Sequence, residues 1–204
     1  MTTITSDLTQ EEIVRYSRHT MLAEIGMEGQ VLLKTARVLI VGLGGLGSAS
    51  AMYLAASGVG TLGVVDMDRV DYSNLQRQII HSHGKVGQLK VLSAKERLLD
   101  VNPYVDVRTY NECLSDANAA HLIMDYDIVV DGTDNLQARY LLNDACFSMK
   151  KPYIYGGISK FNGQASVFYP GKGPCLQCLF PKESQPHSAF SQNINGVLGV
   201  LPGL

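Results

Sequence analysis

The sequence lacks an excess of positive charge. Its 204 residues include 17 Lys and Arg against 19 Asp and Glu, which gives a formal net charge of −2 at pH 7. Proteins that bind nucleic acid or an anionic membrane surface present a basic face, so this balance argues against both kinds of partner. Charged residues make up 18% of the chain, below the roughly 25% of a typical soluble domain. Those that are present are therefore expected to hold specific positions.

The chain also lacks a recognisable targeting or membrane segment. Residues 1–12 are polar and acidic, unlike a signal peptide. Residues 38–65 carry no charge over a length that could span a bilayer, but seven glycines interrupt them. Because bunched glycines break a single helix, we interpret this run as buried strands and a helix, and we expect a cytoplasmic protein. Its four cysteines are then expected to be reduced or metal-bound, not paired in disulfides.

Strand and helix patterns alternate along most of the chain, which predicts an α/β fold with a doubly wound, mostly parallel, Rossmann-like sheet and helices on both faces. Predicted strands cover residues 38–41, 62–66, 105–110, 127–131 and 153–158, and an antiparallel strand covers 164–169. Predicted helices between them cover residues 45–57, 86–100, 117–124 and 135–149. The length predicts one domain, made of a helical arm (1–36), a core (37–170) and a segment with a Cys-x-x-Cys motif (171–204).

The arm begins with a capping-box pattern, in which Thr9 is followed three residues later by Glu12. A helix is therefore predicted from this point to about residue 22, and a short helix is predicted over residues 30–34. The first of these helices places Arg15 and Arg18 one turn apart.

A glycine fingerprint follows the first predicted strand. Gly42, Gly44 and Gly47 have the G-x-G-x-x-G spacing and lead into a helix. Glycine permits a tight turn and a close backbone approach, and the free N–H groups at the helix start attract phosphate. Asp66 closes the next strand, where a carboxylate can hold ribose hydroxyls. The pattern predicts a nucleotide site that fits a nicotinamide dinucleotide and ATP alike; a turn that serves only helix–strand packing is the alternative.

The segment after Asp66 favours a triphosphate. Residues 66–78 combine acids, amides and arginines just beyond a strand end, and Lys90 lies on the following helix. Two cations and several amide donors suit the higher charge of a triphosphate. The alternative is a solvated loop with surface ion pairs of little energy, which we accept for Arg69 and Asp71 but not for the whole cluster.

A second acidic cluster follows the predicted strand at 127–131, at the same edge of the sheet. It contains Asp131, Asp134 and Asn135. An aspartate there can coordinate Mg²⁺, which prefers carboxylate and phosphate oxygens. Alternatively, Asp134 or Asn135 caps the helix that starts beside it, and the two roles can coexist.

Cys175 and Cys178 have the spacing of half a tetrahedral zinc site. The sequence contains no second Cys-x-x-Cys pair, and His187, another candidate ligand, has no partner at metal spacing. A zinc site completed by this chain alone is therefore not expected. We interpret Cys113 and Cys146 as core thiols. We interpret His81 and His83 as solvated loop residues.

Taken in order, these motifs resemble the ThiF/MoeB/HesA family of adenylyltransferases, which are related to the ubiquitin-activating enzymes. The resemblance extends over roughly residues 9–204. The motifs that carry it are the pair Arg15 and Arg18, the glycine run 42–47, the segment 66–78, Gly87 with Lys90, Asp131 with Asp134 and Asn135, and Cys175 with Cys178.

The resemblance implies an activity. The family uses ATP and Mg²⁺ to convert the C-terminal Gly-Gly carboxylate of a small ubiquitin-like sulfur-carrier protein into an acyl-adenylate, with release of pyrophosphate. It implies catalytic roles for Arg18, Arg77, Lys90 and Asp134, with Arg18 reaching the phosphates of the partner subunit in a homodimer and Asp134 holding Mg²⁺. The nucleotide-binding residues that it implies are Gly42, Gly44, Gly45, Gly47, Asp66 for the ribose, Asp68, Ser73, Asn74, Leu75, Gln76, Arg77, Gln78, Lys90, Asp134 and Asn135.

The chain departs from the family pattern after the Cys-x-x-Cys motif. Family members carry a second such pair further along and continue past the segment 196–199, whereas this chain ends at Leu204. We expect a shortened member, either a fragment or a natural short form, whose Zn²⁺ site is incomplete. Gln192 stands where the family often has cysteine, so covalent sulfur chemistry at this position is not expected. Two alternative functions are a non-catalytic relative that binds a ubiquitin-like partner and a NAD-dependent oxidoreductase.

Overall fold

The computed structural model, which describes residues 8–184 and 196–204, contains a six-stranded sheet. Its strands are β1 (Arg37–Val41), β2 (Thr61–Val65), β3 (Asp106–Tyr110), β4 (Ile128–Asp131), β5 (Tyr153–Ser159) and β6 (Asn162–Phe168). They are ordered β3-β2-β1-β4-β5-β6. The first five strands run parallel, and β6 is antiparallel to β5. This topology confirms the predicted Rossmann-like α/β fold.

Helices connect these strands and precede them. They are α1 (Gln10–Arg15), α2 (Ser17–Thr20), α3 (Gly26–Thr35), α4 (Gly45–Ser57), α5 (Lys90–Val101), α6 (Ala119–Met124), α7 (Leu136–Ser148) and α8 (Leu176–Leu179). Short 3-10 helices cover Tyr72–Asn74, His83–Lys85, Lys182–Ser184 and Leu201–Gly203. Among the described helices, none has the length and apolar content required to cross a bilayer. His187 and Gln192 lie outside the described residues.

The hydrophobic core covers both faces of the sheet. Ile40 belongs to the cluster that packs against α4 and α5, whereas its neighbour Leu39 belongs to the cluster that packs against α6 and α7. Successive side chains of a strand point to opposite faces, so a strand covered on both sides must be apolar at every position. This is why β1 appears in the sequence as an uninterrupted hydrophobic run, and why helices lie on both faces.

The arm differs from the prediction of one helix up to about residue 22. The Thr9–Glu12 capping box is present, but α1 ends at Arg15 and α2 begins at Ser17. Tyr16, between them, is buried, and its hydroxyl accepts a hydrogen bond from Asn102 Nδ2 at 2.8 Å. This contact with a residue 86 positions away along the chain fixes the break between the helices. The third helix begins at Gly26, four residues earlier than predicted.

The segment before α5 also differs from the prediction. The predicted helix over 86–100 begins only at Lys90, because Gly87 has a φ of 87° and its N–H donates to the carbonyl of Val70. His81 is not a solvated loop residue: it is buried, and its Nδ1 lies 3.0 Å from the Ser93 hydroxyl. His83 is exposed, as predicted.

Candidate functional site

A cavity of about 540 Å³ lies at the carboxyl ends of β1 to β4. The strand order reverses between β1 and β4, and in doubly wound folds such a switch point opens the crevice that binds ligands. The cavity brings together eight of the residues predicted for the site, which are Gly42, Gly44, Asp66, Asp68, Gln78, Lys90, Asp134 and Asn135.

The glycine turn, residues 42–47, is set by backbone contacts. Gly42 has a φ of 90°, and a Cβ on Gly47 would lie 1.8 Å from the Gly42 carbonyl oxygen. A Cβ on Gly42 would in turn lie 2.8 Å from the carbonyl carbon of Gly132, in the loop after β4. Gly44, the N-cap of α4, offers no side-chain cap to the helix N–H groups. The N–H groups at the start of α4 are therefore left without a side-chain cap, which suits an anion.

Asp66 fixes the turn from the neighbouring strand. One carboxylate oxygen accepts a hydrogen bond from the Leu43 N–H and the other from the Asp68 N–H, both at 2.8 Å. Lys90, the first residue of α5, brings its Nζ to 2.8 Å from Asp68 Oδ2 and 3.8 Å from Asp66 Oδ2. Because a buried charge is costly unless it is paired, these carboxylates allow a nearly buried ammonium to lie in the wall of the cavity.

The two aspartates at the end of β4 and in the loop after it differ in burial. The Asp131 side chain is buried, and burial raises its pKa, against the opposing effects of Arg139, Thr133 and Tyr153. Asp134 is exposed and lines the cavity, and within the described chain its carboxylate has no hydrogen-bond or ion-pair partner. The Asn135 side chain accepts from the Ala138 N–H at 2.8 Å, which confirms it as the N-cap of α7. Of these two aspartates, Asp134 is thus the one whose carboxylate is available to a metal in the cavity.

Several predicted residues lie outside the cavity wall. Arg77 Nη1 donates to the Ser73 carbonyl at 3.2 Å, and Asn74 Oδ1 accepts from the Asp71 N–H. Arg18 is exposed on α2. The predicted residues that do not line the cavity are Arg18, Gly45, Gly47, Ser73, Asn74, Leu75, Gln76, Arg77, Cys175 and Cys178.

Sequence reasoning missed part of the cavity wall. The segment after β3 and the first two turns of α7 contribute Glu112, Cys113, Leu114, Ser115, Asp116, Gln137, Ala138 and Leu141. The position of the first five, directly after a predicted strand, is the signal that could have identified them. Cys113 is therefore an exposed residue of the wall and not a core thiol, whereas Cys146 is buried, which raises its pKa to about 12.

The Cys-x-x-Cys pair lies at the start of α8, with its sulfur atoms 3.7 Å apart. Two thiolates on one tetrahedral zinc, each at about 2.3 Å, would be separated by about 3.8 Å, so the pair has suitable spacing for two ligands. Among the described residues, no group of three or more His, Cys, Asp or Glu side chains is arranged to hold a metal. Within the described residues, Cys175 and Cys178 therefore remain two candidate ligands without a third.

Comparison with known families and proteins identifies clear similarities. A model of the ThiF family matches residues 16–204. The chain is 46% identical over 200 residues to the probable adenylyltransferase/sulfurtransferase MoeZ of Mycobacterium tuberculosis, covering 96% of this chain and 51% of MoeZ. It is 46% identical over 197 residues to the adenylyltransferase and sulfurtransferase MOCS3 of Culex quinquefasciatus, covering 97% of this chain and 45% of MOCS3. The chain spans about half the length of these curated relatives.

Solved structures show the same fold. The crystal structure of PaaA has a TM-score of 0.77 and 26% identity, covering 100% of this chain and 66% of PaaA. Escherichia coli MccB with ATP has a TM-score of 0.73 and 31% identity, covering 80% of this chain and 51% of MccB. E. coli tRNA N6-threonylcarbamoyladenosine dehydratase TcdA, in complex with ATP, has a TM-score of 0.68 and 29% identity, covering 71% of this chain and 59% of TcdA.

Proposed function

Because the chain belongs to the ThiF family, we propose that it uses ATP to adenylate the C-terminal Gly-Gly carboxylate of a ubiquitin-like sulfur-carrier protein. The names of its curated relatives support adenylyl transfer, and the ATP in the similar MccB and TcdA structures supports the nucleotide. The observation that carries the proposal is the nearly buried ammonium of Lys90 in the same cavity as the glycine turn.

The reaction needs charge neutralisation more than proton transfer. A C-terminal carboxylate has a pKa of about 3.5, so at neutral pH it is ionised and requires no general base. One of its oxygens bonds to the α-phosphorus of ATP while the bond from that phosphorus to the bridging oxygen breaks, and the electron pair leaves with pyrophosphate. Because two anions must approach each other, catalysis rests on positioning and on cations.

The geometry supports specific roles within the cavity. The glycine turn and the uncapped start of α4 would offer N–H groups to the phosphates. Asp66, held in place by two backbone N–H groups, would accept from the ribose hydroxyls, and Lys90 would neutralise phosphate charge. Gln78 has a buried Oε1 that finds no partner among the described residues, so its side chain retains an acceptor at the cavity wall.

The neighbouring segment would supply the remaining phosphate contacts. This segment, with Ser73, Asn74, Leu75, Gln76 and Arg77, directly precedes Gln78 of the cavity wall. The side chain of Arg77 approaches the start of α4, since its Cγ lies 3.6 Å from the position of a Cβ on Gly45. To reach a nucleotide, its guanidinium would exchange the Ser73 carbonyl for a phosphate oxygen.

The residues present fit a magnesium ion. Mg²⁺ in nucleotide sites is held by one or two carboxylates together with phosphate oxygens and waters, and Asp134 offers one exposed carboxylate in the cavity. When bound, the ion neutralises phosphate charge. Cys175 and Cys178 fit a structural zinc ion as two of its four ligands. No step of the reaction depends on that ion.

We also propose a cytoplasmic homodimer in which Arg18 reaches the phosphates bound by the partner. In the described chain Arg18 is exposed, makes no hydrogen bond or ion pair, and lies outside the wall of its own cavity. The arm that carries it exposes apolar side chains, with Val14 66% and Met21 73% accessible, and exposed apolar surface favours association. Each protomer would comprise the arm (1–36), the core (37–170) and the segment 171–204.

Exchange of labelled pyrophosphate into ATP tests the proposal. Exchange is expected only in the presence of a sulfur-carrier protein that ends in Gly-Gly, and not with the same carrier lacking its last two residues. Carrier binding without exchange would instead favour a non-catalytic relative. Binding of NADH but not of ATP would favour the oxidoreductase.

A further inference from the structure

A buried network lies behind the loop that carries Asp134. The side chain of Asp131 has no solvent exposure. Its Oδ1 accepts hydrogen bonds from the N–H and the hydroxyl of Thr133, at 2.8 and 2.6 Å. Its Oδ2 accepts one from the Tyr153 hydroxyl at 2.5 Å and lies 3.8 Å from Arg139 Nε. One carboxylate thus joins the loop after β4 to β5 and α7.

Arg139, in the first turns of α7, holds the same loop from its other side. Its Nη2 donates to the carbonyls of Thr133 and Gly156, both at 3.0 Å. Its Nη1 lies 3.3 Å from the Tyr155 hydroxyl, and the guanidinium carbon lies 5.0 Å from the centre of the Tyr155 ring. The N–H and hydroxyl of Thr133 are therefore fixed by Asp131, and its carbonyl is fixed by Arg139.

The position of this network indicates that it holds the loop after β4 and does not bind a ligand itself. Neither Asp131 nor Arg139 lines the cavity, so neither contacts a ligand there. A buried ion pair often contributes no more to stability than apolar residues of the same size, so stability alone is a weak reason for its presence. Asp134 follows Thr133 directly and has no partner of its own in the described chain. The backbone that carries Asp134 is therefore held through the contacts of Thr133.

We propose that Arg139 is a positioning residue that fixes Thr133, so that Asp134 points into the cavity in one orientation. The proposal rests on the proposed function, because it takes magnesium nucleotide as the ligand of Asp134. The loop is also in contact with the glycine turn, since a Cβ on Gly132 would lie 2.4 Å from the Gly42 carbonyl oxygen. Fixing the loop would thus keep the carboxylate of Asp134 at a constant distance from the glycine turn.

A double-mutant cycle on nucleotide affinity tests the coupling. Calorimetry would give the Kd of ATP with Mg²⁺ and with EDTA for wild type, R139K, D134N and the double variant. R139K and D134N are each expected to weaken binding in Mg²⁺ by about 10-fold and to leave binding in EDTA nearly unchanged. If Arg139 acts through Asp134, the double variant binds no more weakly than D134N. Additive losses, or no loss in R139K, would overturn the proposal.

Matched variants separate positioning from general damage. Arg108 forms an exposed ion pair with Asp106, so R108K should change the Kd of ATP neither in Mg²⁺ nor in EDTA. If R139K does not fold, Y155F replaces it, because that change removes one acceptor of Arg139 and keeps the ring beneath the guanidinium. Y155F is expected to show the same dependence on Mg²⁺ with a smaller loss, and a loss that is equal in Mg²⁺ and EDTA would contradict the proposal.

Amide hydrogen exchange gives a readout that needs neither metal nor nucleotide. In the ligand-free protein, the Thr133 amide, which donates to Asp131, should exchange faster in R139K than in wild type, while the amides of β1 stay unchanged. Equal exchange rates in the two proteins would overturn the inference even if the wild type adenylates its carrier. Conversely, a wild type that binds MgATP and shows this coupling but never exchanges pyrophosphate would overturn only the proposed function.

Discussion

Lys90 forms an ion pair with Asp68 at 2.8 Å, in which 7% of the lysine side chain and 56% of the aspartate side chain are exposed. The ammonium is held in the cavity wall, whereas its partner faces solvent. A phosphate can therefore replace Asp68 as the partner of Lys90 while Asp68 turns into water, so the cost of exchanging partners is small. The pair keeps the cation in place in the absence of nucleotide.

Replacing Lys90 by methionine should weaken ATP binding by at least about 10-fold, because a hydrogen bond to a charged group contributes about 1.5–3 kcal/mol. The stem keeps its packing, so most of the loss reflects the charge. Lys85, which pairs with Glu96 on the surface, supplies the control: K85M should bind ATP like the wild type. Calorimetry measures the Kd of ATP for both variants. Equal affinities of K90M and K85M would show that Lys90 does not bind the nucleotide.

Replacing Arg77 by alanine should lower kcat for adenylation far more than it weakens ATP binding. The guanidinium donates to the Ser73 carbonyl and is not part of the cavity wall, so we expect it to contact phosphate mainly as charge develops in the transition state. Steady-state kinetics of pyrophosphate exchange give kcat, and calorimetry gives the Kd of ATP. R97A, at an exposed arginine on α5, is the control. Equal losses in kcat and affinity would mean that Arg77 binds only the ground state.

Replacing Gly47 by alanine should destabilise the protein by about 1–3 kcal/mol, the usual cost of an overpacked position. The added Cβ would lie 1.8 Å from the carbonyl oxygen of Gly42, a backbone atom that cannot move without opening the turn. Gly84 has no atom within 4 Å of its Cβ position, so G84A should leave stability within about 0.5 kcal/mol of wild type. Urea unfolding midpoints compare the two, and unchanged stability of G47A would contradict this description of the turn.

His81 should make stability depend on pH. Burial lowers its pKa from 6.5 to about 4, aided by the positive charge of Lys90 and opposed by the Leu43 carbonyl. Between these values the unfolded chain binds a proton that the folded chain excludes, so the free energy of unfolding rises with pH. The penalty is absent above about pH 6.5 and grows, up to about 3 kcal/mol, as the pH falls to about 4.

The variant H81Q should reduce this slope, whereas H83Q, at an exposed histidine, should retain it. Chemical denaturation at a series of pH values between 4 and 7 measures the free energy of unfolding of each protein. Parallel curves for wild type and H81Q would show that His81 is not buried as a neutral ring.

Much of the site could be predicted because its parts are local in sequence. The glycine turn, Asp66 and Asn135 each follow from a short pattern next to a strand or helix end, and strand ends converge in a parallel sheet. The burial of Asp131 and the exposure of Asp134 could not be predicted in this way. They are three residues apart, yet the first is buried against Tyr153 and Arg139, on other elements, whereas the second lines the cavity.

The sequence by itself determined the order of the strands and α-helices from β1 to β6, because apolar runs and glycine spacing act over a few residues and limit the backbone to few conformations. Tertiary structure alone decided which polar side chains are buried. His81 is buried against Ser93 of α5, and Tyr16 ends a helix because Asn102 binds its hydroxyl. The physical reason is that burial depends on groups brought together by folding, and no local pattern records which distant groups those are.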